Sequence, residues 1–199
     1  MDTEKTVEEK KKSKSMSFYD TVEILAISIV AVVLLFTFVA RITSVVGGSM
    51  NTTFEDGDKV VVSKLFYTPE TGDVIVFQQP DGFFSEPLIK RVIATGGQTL
   101  KIDFDRWKVY VDGKELDEDY INRKAGETMK RDNYYSYYAE LLDETGTMTI
   151  PEGYIFVMGD NRNGSSDSRF AGVGLVSEHD VMGKVIFRLL PLSGIGIVK

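Results

Sequence analysis

Val46-Gly47-Gly48-Ser49-Met50-Asn51-Thr52-Thr53 is the stretch on which the reading of this chain turns. It lies between the one long apolar run and a succession of short β-branched segments, so it marks the passage from a helical appendage to a β domain. Paired glycines permit a tight turn and a close backbone approach. A serine after such a turn can aim its hydroxyl and its own N–H at one point, as an acyl-transfer nucleophile requires. Gly-Gly-Ser is equally the composition of a plain polar loop. The stretch therefore gains meaning only from residues that could support Ser49.

Upstream, Ile24 to Ala40 carries no charge, and its only polar residues are Ser28 and Thr37. At ~1.5 Å per residue the run covers roughly 25 Å. Val22 and Ile42–Val46 can lengthen it to the ~30 Å of a hydrocarbon core. It is apolar on every face, unlike a surface helix. It exceeds the apolar region of a cleaved signal peptide, and Phe38-Val39-Ala40 lacks a small-x-small site. Lys10, Lys11, Lys12 and Lys14 precede it, whereas Arg41 and Lys59 are the only basic residues soon after. The positive-inside rule then places the N-terminus in the cytoplasm. The expected layout is a disordered cytoplasmic tail at 1–19, a transmembrane anchor at 20–42 and an extracytoplasmic domain at 43–199. Such a protein resides in the cell membrane, with Ser49 close to the lipid surface.

Downstream the texture is β. Lys59–Lys64, Val74–Phe77, Leu88–Ala94, Gln98–Ile102, Trp107–Val111, Tyr154–Met158 and Val181–Leu189 read as strands. Asp112-Gly113 is a hairpin-turn signal. Short strands joined by glycine-rich turns predict a mainly β domain. Residues 117–146 are acidic and tyrosine-rich, with a short helix expected within Ser136–Leu142, and they read as an insertion on the β core. Its tyrosines suit either a binding surface or a local hydrophobic cluster. The tail Leu190–Lys199 is apolar enough to lie against a membrane.

Composition removes several function classes. The net charge of −7 and the lack of a basic patch argue against nucleic-acid binding. With no cysteine, disulfides and thiolate chemistry are excluded, and one histidine cannot build a multi-histidine metal site. No cofactor or metal is expected.

A Ser-His-Asp triad would need His179, which sits in the polar turn Ser177-Glu178-His179-Asp180. Serine can instead be activated by an unprotonated lysine. Lys90 is the candidate, mid-strand among Leu88, Ile89, Val92 and Ile93. A lysine on an apolar face either snorkels to water or loses its proton. The polar loop Gly159-Asp160-Asn161-Arg162 to Asp167-Ser168-Arg169 could staple itself through its charges. Ser165 and Ser168 offer hydroxyls able to orient an amine without charging it.

Taken in order, Ser49-Met50 after an apolar run, Gly72-Asp73-Val74-Ile75-Val76-Phe77, Lys90-Arg91-Val92-Ile93, and Gly159-Asp160-Asn161-Arg162 with Asp167-Ser168-Arg169 resemble the successive signature boxes of bacterial type I signal peptidases. Small size and a single anchor resemble the Gram-positive members. The resemblance implies an antiparallel β barrel-like peptidase domain behind one transmembrane helix, with the insertion at about 112–150. It implies Ser49 as nucleophile, Lys90 as general base and Ser165 as the hydroxyl bonding the lysine amine. Asp160, Asp167 and Arg169 become the charged staple, and the Ser49 N–H one oxyanion donor. The implied substrates are secretory preproteins, cut after a small-x-small motif by a monomer beside membrane lipid, with no nucleic acid involved. Val45, Met50 and Ile89 flank Ser49 and Lys90 and are expected to line shallow apolar substrate pockets.

Three positions depart from the family pattern. Thr52 stands where proline is usual, which predicts a looser turn. Gly47 stands where some members place a serine oxyanion donor. Ala94-Thr95-Gly96-Gly97-Gln98 replaces a Pro-Gly-Asp turn. Two other readings stay open: a weak or inactive paralogue that still binds signal sequences, and an anchored β domain that docks envelope proteins through its tyrosine-rich insertion.

Overall fold

The computed structural model describes residues 2–34, 40–80, 82–123 and 126–198. The chain divides into two compact units, Met1–Ala40 and Arg41–Lys199. The first contains helix α1, Asp2–Leu34. This helix takes in the charged segment expected to be a disordered tail; Lys and Glu are good helix formers, and the apolar segment continues the same helix. Among the described residues no helix is long and apolar enough to cross a membrane. Residues 35–39 of the expected anchor lie outside the described residues.

The flank expected to lengthen that span does something else. Arg41–Ser44 is strand β1, paired antiparallel with β2 (Lys59–Ser63) from Arg41↔Val62 to Ser44↔Lys59. Ile42 and Thr43 are β-branched and favour this extended form. Arg41 and Ile42, the end of the expected anchor segment, thus belong to the sheet.

The remaining strands are β3 (Val74–Phe77), β4 (Leu88–Thr95), β5 (Thr99–Asp103), β6 (Lys108–Val111), β7 (Lys114–Glu115), β8 (Thr147–Thr149), β9 (Tyr154–Met158), β10 (Val176–Ser177), β11 (Val181–Leu190) and β12 (Gly196–Ile197). A one-turn helix, α2, spans Tyr134–Tyr137, earlier and shorter than expected. The large sheet runs β1-β2-β11-β3-β4-β9-β10, with β12 on β11, and every pairing in it is antiparallel. Among the described residues it is open, with β1 and β10 at its edges. The small sheet runs β7-β6-β5-β8. It begins at Thr99, ahead of the expected insertion boundary at 112. Asp112 and Gly113 both take positive φ, 51° and 73°, and make the tight β6–β7 turn.

Three buried clusters hold the β unit together. One joins the sheets, bringing Ile93, Phe156 and Met158 against Leu100, Val109 and Met148. Tyr134 and Tyr138 belong to it, packed edge-on or tilted against Phe104 and Phe156. Half of the tyrosine-rich motif is therefore core, while Tyr135 and Tyr137 are half exposed. The second cluster (Val45, Met50, Phe54, Val74, Ile89) lies under the Ser49 turn. The third packs Ile75, Phe77 and Val92 against Val157 and Val176. The turn bearing Ser49 and the strand bearing Lys90 thus share one hydrophobic footing.

Candidate active site

The Ser49 turn is built from both ends. Gly47 has φ 80°, a conformation costly for other residues, and its N–H donates to Asp56 Oδ1 at 2.7 Å. After Ser49 the chain closes a helical turn: the N–H groups of Thr53 and Phe54 donate to Met50 O at 2.9 and 2.8 Å. Thr52 sits at φ 95° and its hydroxyl donates to Tyr120 O. The turn expected to be loose without proline is therefore closed, and a proline could not adopt that φ. Met50, expected to line a substrate pocket, is instead fully buried in the core, where its flexible thioether pins the turn. The Ser49 N–H has no acceptor among the described residues.

Lys90 enters from the middle of β4, opposite Ile75 of β3, and is 3% exposed. Its Nζ donates to Ser49 Oγ at 2.8 Å and to Ile89 O at 2.9 Å. Burial lowers its pKa from 10.5 to about 8, against the opposing pull of the Asp167 and Asp160 carboxylates. The neutral amine can keep its bond to Ile89 O and offer its lone pair to the Ser49 proton.

Loop 159–169 closes the site. A Cβ at Gly159 would fall 2.5 Å from Ser49 O and closer still to Ser165 Oγ, so only glycine lets the chain leaving β9 run past both. Asn161 grips the nucleophile turn twice: its N–H donates to Ser49 O at 3.0 Å and its Nδ2 to Gly48 O at 2.9 Å. Asp160 receives Arg91 at both oxygens, Nε at 2.9 Å and Nη2 at 2.8 Å, and the Thr53 hydroxyl at 2.5 Å. Asp167 receives Arg169 Nε and Nη2, both at 2.8 Å, and the Gly159 N–H at 3.0 Å. Burial pushes the Asp167 carboxyl up, but Arg169 and the Gly159 N–H outweigh it and hold the pKa below the usual carboxylate range. The charges expected to form one staple are two separate pairs, Arg91–Asp160 and Arg169–Asp167.

Ser165 is buried beside Gly159; its hydroxyl makes no hydrogen bond of full geometry among the described residues, but it faces the Asp167 carboxylate and helps to hold that group's pKa down. The bond expected between it and Lys90 is not formed: besides Ser49, the amine takes Ile89 O. Ser168 Oγ accepts the Val157 N–H at 2.9 Å, anchoring the loop to β9. His179 lies in a 3₁₀ turn, Glu178–Asp180, with its N–H on Ser177 Oγ.

A cavity of about 310 Å³ opens over Ser49 and Lys90, with Val45, Phe84, Leu88 and Ile89 among its walls. The sequence reading assigned no role to Asn161, Arg91, Glu118 or Tyr120. Arg91 could have been found from strand alternation, which sends it to the face opposite Lys90, where only a buried carboxylate would satisfy it. The other three carry no local signal.

Comparison with known proteins finds relatives along most of the chain. The family model described as "Signal peptidase, peptidase S26" matches residues 18–190. A probable signal peptidase I-1 of Synechocystis sp. is 34% identical over 183 residues, covering 87% of this chain and 83% of its own length. Signal peptidase I of Bacillus licheniformis is 32% identical over 193 residues, 94% of this chain and 97% of the relative. A crystal structure of a signal peptidase I from Enterococcus faecalis V583 is 32% identical, covers 60% of this chain and 97% of that one, and has a TM-score of 0.46.

Proposed function

The chain belongs to the bacterial type I signal peptidase family, peptidase S26, and on that premise we propose that it is a membrane-anchored endopeptidase that removes signal peptides from secretory preproteins by a Ser49–Lys90 mechanism. Family membership makes it a serine peptidase, a hydrolase. The observation that carries the mechanistic reading is the 2.8 Å separation of Ser49 Oγ from a buried Lys90 amine whose pKa is lowered to about 8.

Neutral Lys90 takes the Ser49 proton as Oγ attacks the scissile carbonyl. The tetrahedral oxyanion is met by the Ser49 N–H. Collapse breaks the C–N bond, and Lys90 returns its proton to the departing amine of the mature protein. Water, deprotonated in turn by Lys90, then releases the signal peptide from Ser49. The two ion pairs act by fixing the loop around Ser49, and Ser165 fills the space beside Gly159. Gly47 leaves this chain without a side-chain oxyanion donor at that position.

The anchor is proposed from the apolar run 24–40, with the lysines before it in the cytoplasm, 1–19 as tail, 20–40 as anchor segment and the β domain that begins with β1 outside. Exposed Leu190, Leu192, Ile195 and Ile197 suit a β domain working against lipid. Purified full-length protein in detergent should cleave a preprotein at its signal-peptide junction, and Ser49→Ala should not. Equal processing by Ser49→Ala would overturn the proposal.

A further inference from the structure

We infer that the segment Leu116–Ile121 braces the two loops that carry the site, with Glu118 and Tyr120 as positioning residues for Ser49; this rests on the reading of Ser49 and Lys90 given above. Two lines of contact lead from this segment to the nucleophile. Along the first, Glu118 Oε1 pairs with Arg162 Nη2 at 2.5 Å, both side chains fully buried. Arg162 Nε then donates to Gly159 O at 3.1 Å. Gly159 is the residue whose backbone runs against Ser49 O and Ser165. Along the second, Tyr120 O accepts the Thr52 hydroxyl, three residues after Ser49. The Tyr120 ring lies 4.0 Å beneath the Arg91 guanidinium that holds Asp160.

The chemistry of the first pair favours a positional role over a stabilising one. Glu118 Oε2 and Arg162 Nη1 are both buried without a hydrogen-bond partner. A buried ion pair with an orphan atom on each side recovers little of its desolvation cost, so its contribution to stability is small. It does fix the direction of Arg162, and through Nε the path of Gly159. Thr52, a β-branched residue at φ 95°, likewise holds an unfavourable backbone only while its surroundings enforce it.

The experiment measures kcat, KM, the pH dependence of kcat/KM and thermal unfolding for full-length variants in detergent, using a preprotein substrate. Glu118→Gln alone leaves a buried guanidinium unpaired and endangers folding. The decisive variants are therefore the double substitution Glu118→Met with Arg162→Met, and Thr52→Val at an exposed position. The double variant is expected to unfold at or above the wild-type temperature yet lose ~10- to 100-fold in kcat, the scale of a misplaced reacting group. Its KM and the midpoint of its pH profile should stay in place, since cavity and base are untouched. Thr52→Val should show a smaller loss of the same kind. Wild-type kcat in both variants, or a loss confined to KM, would overturn the inference. Should Ser49→Ala retain processing, the site reading itself fails; should Ser49→Ala be inactive while both variants turn over normally, only the bracing role fails.

Discussion

Gly159 crosses Ser49 so closely that a methyl group on it would lie 2.5 Å from the Ser49 carbonyl oxygen and against the Ser165 hydroxyl. Neither neighbour can withdraw: Ser49 O is held by the Asn161 N–H, and Ser165 is buried. Gly159→Ala should therefore displace the Ser49 turn and lower kcat/KM by roughly 100-fold or more. Gly196→Ala, at a glycine with open space around it, is the control for the general effect of the substitution. Preprotein cleavage measured side by side checks this; near-equal loss in the two variants would count against it.

Lys90 sets the pH dependence. Its pKa is lowered to about 8 and the neutral form is the base, so kcat/KM should rise with pH through about 8 and fall away on acidification. Lys90→Arg should be inactive at every pH, because arginine stays protonated. His179→Ala should leave the profile unchanged. Initial rates across pH 6 to 10, taken below KM, test all three statements.

The same burial has a stability consequence with a definite sign. The folded pKa of Lys90 lies below its unfolded value of 10.5, so between about 8 and 10.5 the unfolded chain binds more protons and stability rises with pH. At and below pH about 8 the burial penalty is fully present and amounts to about 3 kcal/mol. Lys90→Met should accordingly stabilise the inactive protein by up to that amount at pH 7, and the advantage should shrink towards pH 10. Denaturant unfolding of the two proteins at both pH values measures it.

Thr52 makes a prediction against the family pattern. Proline cannot reach φ 95°, whereas glycine can. Thr52→Pro should lower kcat and the unfolding temperature, and Thr52→Gly should keep the turn while losing the bond to Tyr120 O. A gain of activity in Thr52→Pro would show that the turn has a second closed form.

Substrate choice should follow the walls of the cavity. Val45 and Ile89 narrow a space of about 310 Å³ that must take two side chains of an extended substrate. Preproteins with Ala at the residues one and three before the cut should be processed, and those with Leu or Phe there should not. Val45→Ala and Ile89→Ala should relax that choice. Uniform cleavage rates across the series would refute the pocket assignment. For topology, protease added to intact spheroplasts should digest residues beyond 41 and spare the lysine-rich segment.

The sequence by itself determined the parts that depend on residue type and local period. β-branched runs marked β3, β4 and β9 almost to the residue, since a strand's preference is written into its own side chains. The absence of cysteine and the single histidine narrowed the candidates for activating Ser49 to a lysine. Only the tertiary structure decided the rest, because those features depend on neighbours far along the chain. It placed Arg41 and Ile42, the end of the expected anchor segment, in a sheet, because β2 offered a ladder to pair with. It buried Met50, split the expected staple into Arg91–Asp160 and Arg169–Asp167, and gave the Lys90 amine Ile89 O as its second partner in place of Ser165. It also joined Glu118 to Arg162 and Tyr120 to Thr52 across 44 and 68 residues. Hydrogen-bond geometry selects such partners over fractions of an ångström, and no propensity or spacing in a linear chain encodes distance at that scale.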